Sequence, residues 1–88
     1  PYTADEVLDA LRAGDVLTRL SGLRVLQVGD SYFIHSERHD TVDVRAMDVL
    51  CRETEVDQQA LGEALQNPAF LAELTGLINQ GYWFFDDE

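Results

Sequence analysis

The segment from Asn67 to Phe85 constrains this chain more than any other stretch. Phe70, Leu71, Leu74, Leu77 and Ile78 fall at i, i+1, i+4, i+7 and i+8, the stripe of an amphipathic helix. Asn67 can accept a hydrogen bond from the first helical N–H groups, and Pro68 fits the first turn, where its missing N–H has no partner to lose. Gly81 can adopt the left-handed conformation that ends a helix. Tyr82-Trp83-Phe84-Phe85 then reads as a strand or a packing tail. Ordering such a helix costs more than burying one stripe contributes, so the stripe must pack on the rest of the chain. The segment Pro68–Gln80 is therefore the expected central core helix, with Glu73 as its only charge.

The remaining elements follow from local signals. Thr3-Ala4-Asp5-Glu6 is a capping box, which opens a helix carrying Val7, Leu8 and Leu11 and ending at Gly14. Val16–Leu20, Leu23–Val28 and Ser31–His35 read as short strands separated by the turn signals Ser21-Gly22 and Gly29-Asp30. They predict a three-stranded antiparallel meander. Ser36–Asp40 is polar and predicts a loop. Asp43 caps a helix from Val44 to about Arg52, with Ala46, Met47 and Leu50 on one face. Thr54 or Asp57 caps the next, with Ala60, Leu61, Ala64 and Leu65 inside, weakened at Gly62 by about 1 kcal/mol. The order α-β-β-β-α-α-α-β predicts an α+β, winged-helix-like fold. At 88 residues, one domain spanning 1–88 is expected.

Charge narrows the partners. Seventeen acids oppose six arginines, lysine is absent, and the formal net charge is −11. Such a surface repels phosphate backbones and anionic membranes, and it attracts basic partners. A merely solvated acidic surface is the competing reading. No signal peptide or membrane-spanning run is visible, and a cytoplasmic location is expected. The chain starts at Pro1, which is expected of a processed protein or of a piece of a longer one.

Few residues suggest chemistry. His35, Glu37 and His39 have the composition of a two-His, one-carboxylate iron site. They all lie within one turn, however, and no distal histidine exists to close such a site. A loop or wing with two exposed imidazoles is the expected outcome. Ser21, Ser31, Ser36 and Cys51 have no evident His-plus-acid set. Cys51 lies on a helical pattern beside Val49 and Leu50 and is expected to be a buried, inert thiol. Asp86-Asp87-Glu88 should be solvated. A duplex-reading winged helix would need Arg, Lys, Asn or Gln facing a groove. Asn79 and Gln80 on one helix, and Gln58, Gln59 and Gln66 on another, come without a cation. Arg45 and Arg52 sit among Asp43, Asp48, Glu53 and Glu55. Nucleic-acid binding is not expected.

Several runs resemble a known family. Pro1-Tyr2 with Asp5-Glu6, Gly14-Asp15-Val16-Leu17, Arg19–Leu26, Asn67–Ala72 and Asn79–Phe85 look like the C-terminal domain of the bacterial ribosomal oxygenases. The resemblance covers essentially the whole chain. It implies a winged-helix accessory domain at the tail of a JmjC-type, cupin-fold arginine 3-hydroxylase acting on a protein of the large ribosomal subunit. In that family Fe(II) and 2-oxoglutarate bind an upstream catalytic domain, which a dimerisation region follows. The resemblance therefore implies no catalytic, cofactor or metal residue in this segment. Its implied partners are the parent's catalytic and dimerisation domains and a basic ribosomal protein. One departure stands out: the family's Asn-Gly-Glu turn is His35-Ser36-Glu37 here, and Ser36 adopts positive φ poorly. A free-standing acidic interaction module is the alternative reading.

Overall fold

In the computed structural model, which describes residues 1–85, both halves of the capping box form. Thr3 Oγ1 accepts from Glu6 N at 3.2 Å, and Glu6 Oε1 accepts from Thr3 N at 2.9 Å. They start α1 (Ala4–Arg12), which buries Val7 and Leu11. A Schellman pair closes it, with Gly14 N donating to Leu11 O and Asp15 N to Ala10 O. The chain continues through β1 (Leu17–Arg19), β2 (Val25–Val28), β3 (Ser31–Ile34) and β4 (Glu37–Asp40). Then come α2 (Val44–Arg52), β5 (Glu55–Val56), α3 (Gln58–Leu61), a 3-10 helix (Gly62–Gln66), α4 (Pro68–Asn79) and β6 (Trp83–Phe85). The Asp86–Glu88 tail lies outside the described residues.

The expected α+β order is recovered, with two short strands added. The sheets are arranged differently from the expected meander. β1 leaves it and sits at the centre of a separate antiparallel sheet, in the order β5-β1-β6. The meander is β2-β3-β4, and its third strand is the segment expected to be a loop. Glu37-Arg38-His39-Asp40 carries no apolar alternation because β4 is a largely solvated edge. β5 has only two residues and owes its strand form to pairing with Leu17 and Thr18.

Gly62 corrects a second expectation. It does more than weaken the helix beginning at Asp57: it takes φ 56, and the helix stops there. The following residues wind as a 3-10 helix that buries Ala64 and Leu65 and leaves Ala60 exposed.

α4 behaves as its sequence requires. Asn67 Oδ1 accepts from Ala69 N at 3.0 Å and Pro68 occupies the first turn. Phe70, Leu71, Leu74, Leu77 and Ile78 are all buried. Gly81, at φ 86, ends the helix with Gly81 N donating to Ile78 O and Tyr82 N to Leu77 O. This reversal sends the chain directly into β6. α4 lies against α1, β6 and the 3-10 helix, so one continuous core joins Phe70 and Leu74 to Val7, Leu11, Leu17, Met47, Leu50 and Val56.

The β3–β4 turn departs from residue preference. His35 and Ser36 take φ 51 and φ 74, as a two-residue type I′ turn demands at both central positions. Neither residue is glycine, and left-handed backbone costs an L-residue roughly 1–2 kcal/mol. Ser36→Gly relieves one such residue, while glycine's extra freedom in the unfolded chain offsets part of the gain. The expected net stabilisation is roughly 0.5–1 kcal/mol, raising Tm by roughly 2–8 °C in a thermal melt. A lowered Tm would show that the turn has another form.

Candidate functional site

The residues that looked most like a metal site are separated by the β3–β4 turn. His35 occupies the turn and is exposed. Glu37 and His39 follow on β4, with His39 Nε2 3.5 Å from Glu37 Oε1. His39 differs from the expected exposed imidazole: its side chain is 23 % exposed and stacks on Tyr32, ring centroids 5.0 Å apart. Among the described residues, no three His, Cys, Asp or Glu side chains are placed to hold a metal ion.

His39 instead belongs to a polar seam between the β2-β3-β4 wing and α4. Glu73, the lone charge of that helix, turns one carboxylate oxygen toward the chain leaving the wing. Its Oε1 accepts from Thr41 Oγ1 at 3.0 Å and from Val42 N at 3.5 Å. Burial pushes the Tyr32 phenol well above its ordinary value, and the charge of Glu73 and hydrogen bonding to it push the same way. Tyr32, His39, Asp40, Glu73, Gly76 and Gln80 line a shallow cleft of about 270 Å³. The seam ties the wing to the core helix. Sequence reading missed it because Tyr32 and Glu73 lie far apart in the chain. The available signal was a single acid inside an apolar stripe.

The seam makes stability depend on pH at the alkaline end. The folded-state phenol of Tyr32 is raised, so the unfolded chain loses that proton first, near pH 10. The stabilisation is complete below that pH and is lost as pH rises toward the folded value. Lysine is absent, so no amine side chain titrates across the same range. Urea midpoints measured between about pH 9 and 11.5 should fall less steeply in Tyr32→Phe than in the parent. Parallel declines would show that Tyr32 is not the group responsible.

The remaining candidates are held in structural roles. Burial and Asp48 push the half-buried Cys51 thiol up, and Arg19 only partly opposes them. Its thiolate is scarce at neutral pH. Arg19 Nη1 donates to Cys51 O at 3.0 Å. Arg52 is paired with Asp48 at 2.7 Å and with Glu53 at 3.8 Å. Asn79, a possible base reader, is occupied: its side chain accepts from Tyr2 N at 2.7 Å and donates to Tyr2 O at 3.0 Å.

A groove of about 620 Å³ runs between α2 and the α3–3-10 elbow, lined in part by Asp43, Arg45, Val49, Ala60, Gly62 and Glu63. Exposed Glu53, Glu55 and Asp57 occupy the connection between α2 and α3. This is the corner at which a duplex-binding winged helix needs cations, and acids outnumber them here. A second hollow of about 690 Å³ lies on the wing, where Leu23, Leu26 and Phe33 meet Arg24 and Ser36. Among the described residues, no helix is long and apolar enough to cross a membrane.

Comparison with known proteins accounts for nearly the whole chain. The family model described as ROXA-like winged helix matches residues 1–84. The ribosomal protein uL16 3-hydroxylase of Escherichia coli is 45 % identical over 86 residues, which is 98 % of this chain and 23 % of that protein. Among solved structures, YcfD, a ribosomal oxygenase from Escherichia coli, superposes with a TM-score of 0.91 at 45 % identity. The same values hold for its complex with cobalt and 2-oxoglutarate. In each structure the match covers 98 % of this chain and 24 % of the other. The chain thus spans about a quarter of the length of these relatives.

Proposed function

This chain belongs to the ROXA-like winged-helix family, and on that premise we propose that it is the C-terminal, non-catalytic accessory domain of a cytoplasmic ribosomal protein hydroxylase. The observation that carries the proposal is the coverage. Almost all of this chain aligns at 45 % identity, yet it accounts for only 23 % of the relative. Among the described residues, His35 is committed to a turn, and His39 is stacked on Tyr32 and faces Glu37, so neither favours placing in this segment the cobalt and 2-oxoglutarate of the relative's complex. We therefore assign Fe(II) and 2-oxoglutarate chemistry, and the hydroxylation of a ribosomal arginine, to the remaining three quarters of the parent.

Within that enzyme the domain packs on the catalytic and dimerisation parts and presents acids to a basic ribosomal protein. Asp5, Glu6 and Asp9 on α1, and Glu53, Glu55, Asp57 and Glu63 around α3, are exposed. In a domain of net charge −11 they favour encounter with a cationic partner, more so at low salt.

The intact mass of the native protein, captured from its own cells, tests the first part. A mass several times 9.9 kDa is expected. A mass near 9.9 kDa would leave a free acidic interaction module instead. Deleting this segment from the full-length enzyme tests the second part. Association with the basic substrate should slow, and its salt dependence should weaken. An unchanged rate would eliminate steering.

A further inference from the structure

We propose that His39 is the moving part of a pH-sensitive latch: on taking up a proton, its Nε2 closes on Glu73 Oε2 and fastens the edge of the wing to α4. The latch is a property of this domain and stands apart from the function proposed above.

Among the described residues, His39 Nε2 and Glu73 Oε2 are buried side-chain atoms without a hydrogen-bond partner. They come from different elements, β4 and α4, and both residues line the cleft of about 270 Å³. A buried polar atom left unpaired costs stability, so two of them on the walls of one cleft call for a common explanation. Their chemistry becomes complementary when a proton is added. The Glu73 carboxylate can only accept, and its other oxygen already takes Thr41 Oγ1 and Val42 N. An imidazolium carries a donor on each ring nitrogen, Nε2 included.

The groups around His39 suit a positive charge on its ring. On β4, Glu37 Oε1 lies 3.5 Å from Nε2. Asp40, also on β4, is occupied: its Oδ1 accepts from Ser31 Oγ at 3.0 Å and sits 3.5 Å from Arg38 Nη2. β3 contributes Tyr32, stacked on the imidazole, whose phenol is kept protonated by burial and then by the charge of Glu73. α4 contributes Glu73 itself. Glu37 is a solvated carboxylate on an exposed edge, where an ion pair is worth little, whereas Glu73 offers a sheltered one. There is also room to close. β4 is an edge of the wing's sheet, and the facing wall of α4 includes Ala72 and Gly76. A Cβ on Gly76 would meet no atom within 4 Å, so no bulky side chain holds the two walls apart there.

Hydrogen exchange of the full-length protein, read by mass spectrometry on peptides covering β4 and Thr41–Asp43, tests the latch. Protection factors, referred to the unfolded chain at the same pH, should rise about tenfold as pH falls from about 7.5 to about 5.5, the range in which imidazoles gain a proton and most carboxylates do not. His39→Gln and Glu73→Gln should each abolish the rise, while the glutamine of the second still accepts from Thr41. His35→Gln and Glu37→Gln should leave most of it. Gly76→Leu, which alters no titrating group, should also abolish it by filling the cleft. A rise that survives His39→Gln, or that follows His35, would overturn the proposal. So would a rise lost in Glu37→Gln and kept in Glu73→Gln, which would place the pairing on β4 alone. A full rise in Gly76→Leu would show that the charge acts without closure and would likewise reject the latch.

Discussion

Replacing Phe70 by alanine should lower the unfolding free energy by about 3–5 kcal/mol. Phe70 has no exposed surface, and it belongs to α4, the helix that packs against α1, the 3-10 helix and β6. Truncation loses the transfer free energy of the ring and leaves a cavity that these fixed elements cannot fill by shifting. A domain of 88 residues carries a total stability of roughly 4–13 kcal/mol. The variant should therefore be marginal at room temperature. The measurement is a urea titration followed by emission of Trp83, the sole tryptophan, which is buried in the folded chain. A loss below about 1 kcal/mol would mean that α4 is not the centre of the core.

The second large effect lies in adjacent residues. Trp83→Ala should cost about 3–5 kcal/mol, and Phe84→Ala less than about 1 kcal/mol. Trp83 pairs with Arg19 and faces the core, whereas Phe84 pairs with Thr18 and faces outward. A slip of one residue in β6 would exchange the two side chains and reverse the order of the two costs. Far-UV circular dichroism is the suitable probe, because one variant removes the fluorophore. Equal costs would contradict the register.

Wherever the determinants were local, the sequence was readable. Thr3 with Glu6, Asp43 and Asn67 each cap the helix expected of them, and the α4 stripe is buried as its spacing required. Pairing was not readable, because β1 chooses its neighbours across long stretches of chain. Leu17 meets Val56 and Phe85, and no period within Val16–Leu20 encodes either partner. β4 escaped notice for a different reason. Its polar residues face water along an edge, so the alternation that reveals a half-buried strand was missing. The break at Gly62 turned on a backbone angle that composition only hints at. At the candidate site, the separation of His35 from His39 followed from turn geometry, and the stacking of His39 on Tyr32 followed from cross-strand register. Glu73 was visible as an anomaly, but Thr41 and Tyr32 were not legible as its companions.

The central position of β1 also sets the order of events as the chain folds. The wing closes through two-residue turns, contacts of the kind that form in microseconds. The other sheet cannot close so early. β1 needs residues 55–56 on one side and 83–85 on the other, and the closure entropy of both long loops is lost before any pairing compensates it. Emerging from a ribosome, the wing can assemble while α4 is still unmade. The core, by contrast, must stay open until Phe85 is free to reach Leu17. Completion of this domain is thus timed by its last strand, and a nascent chain stopped short of that strand exposes the apolar residues that would have been its core.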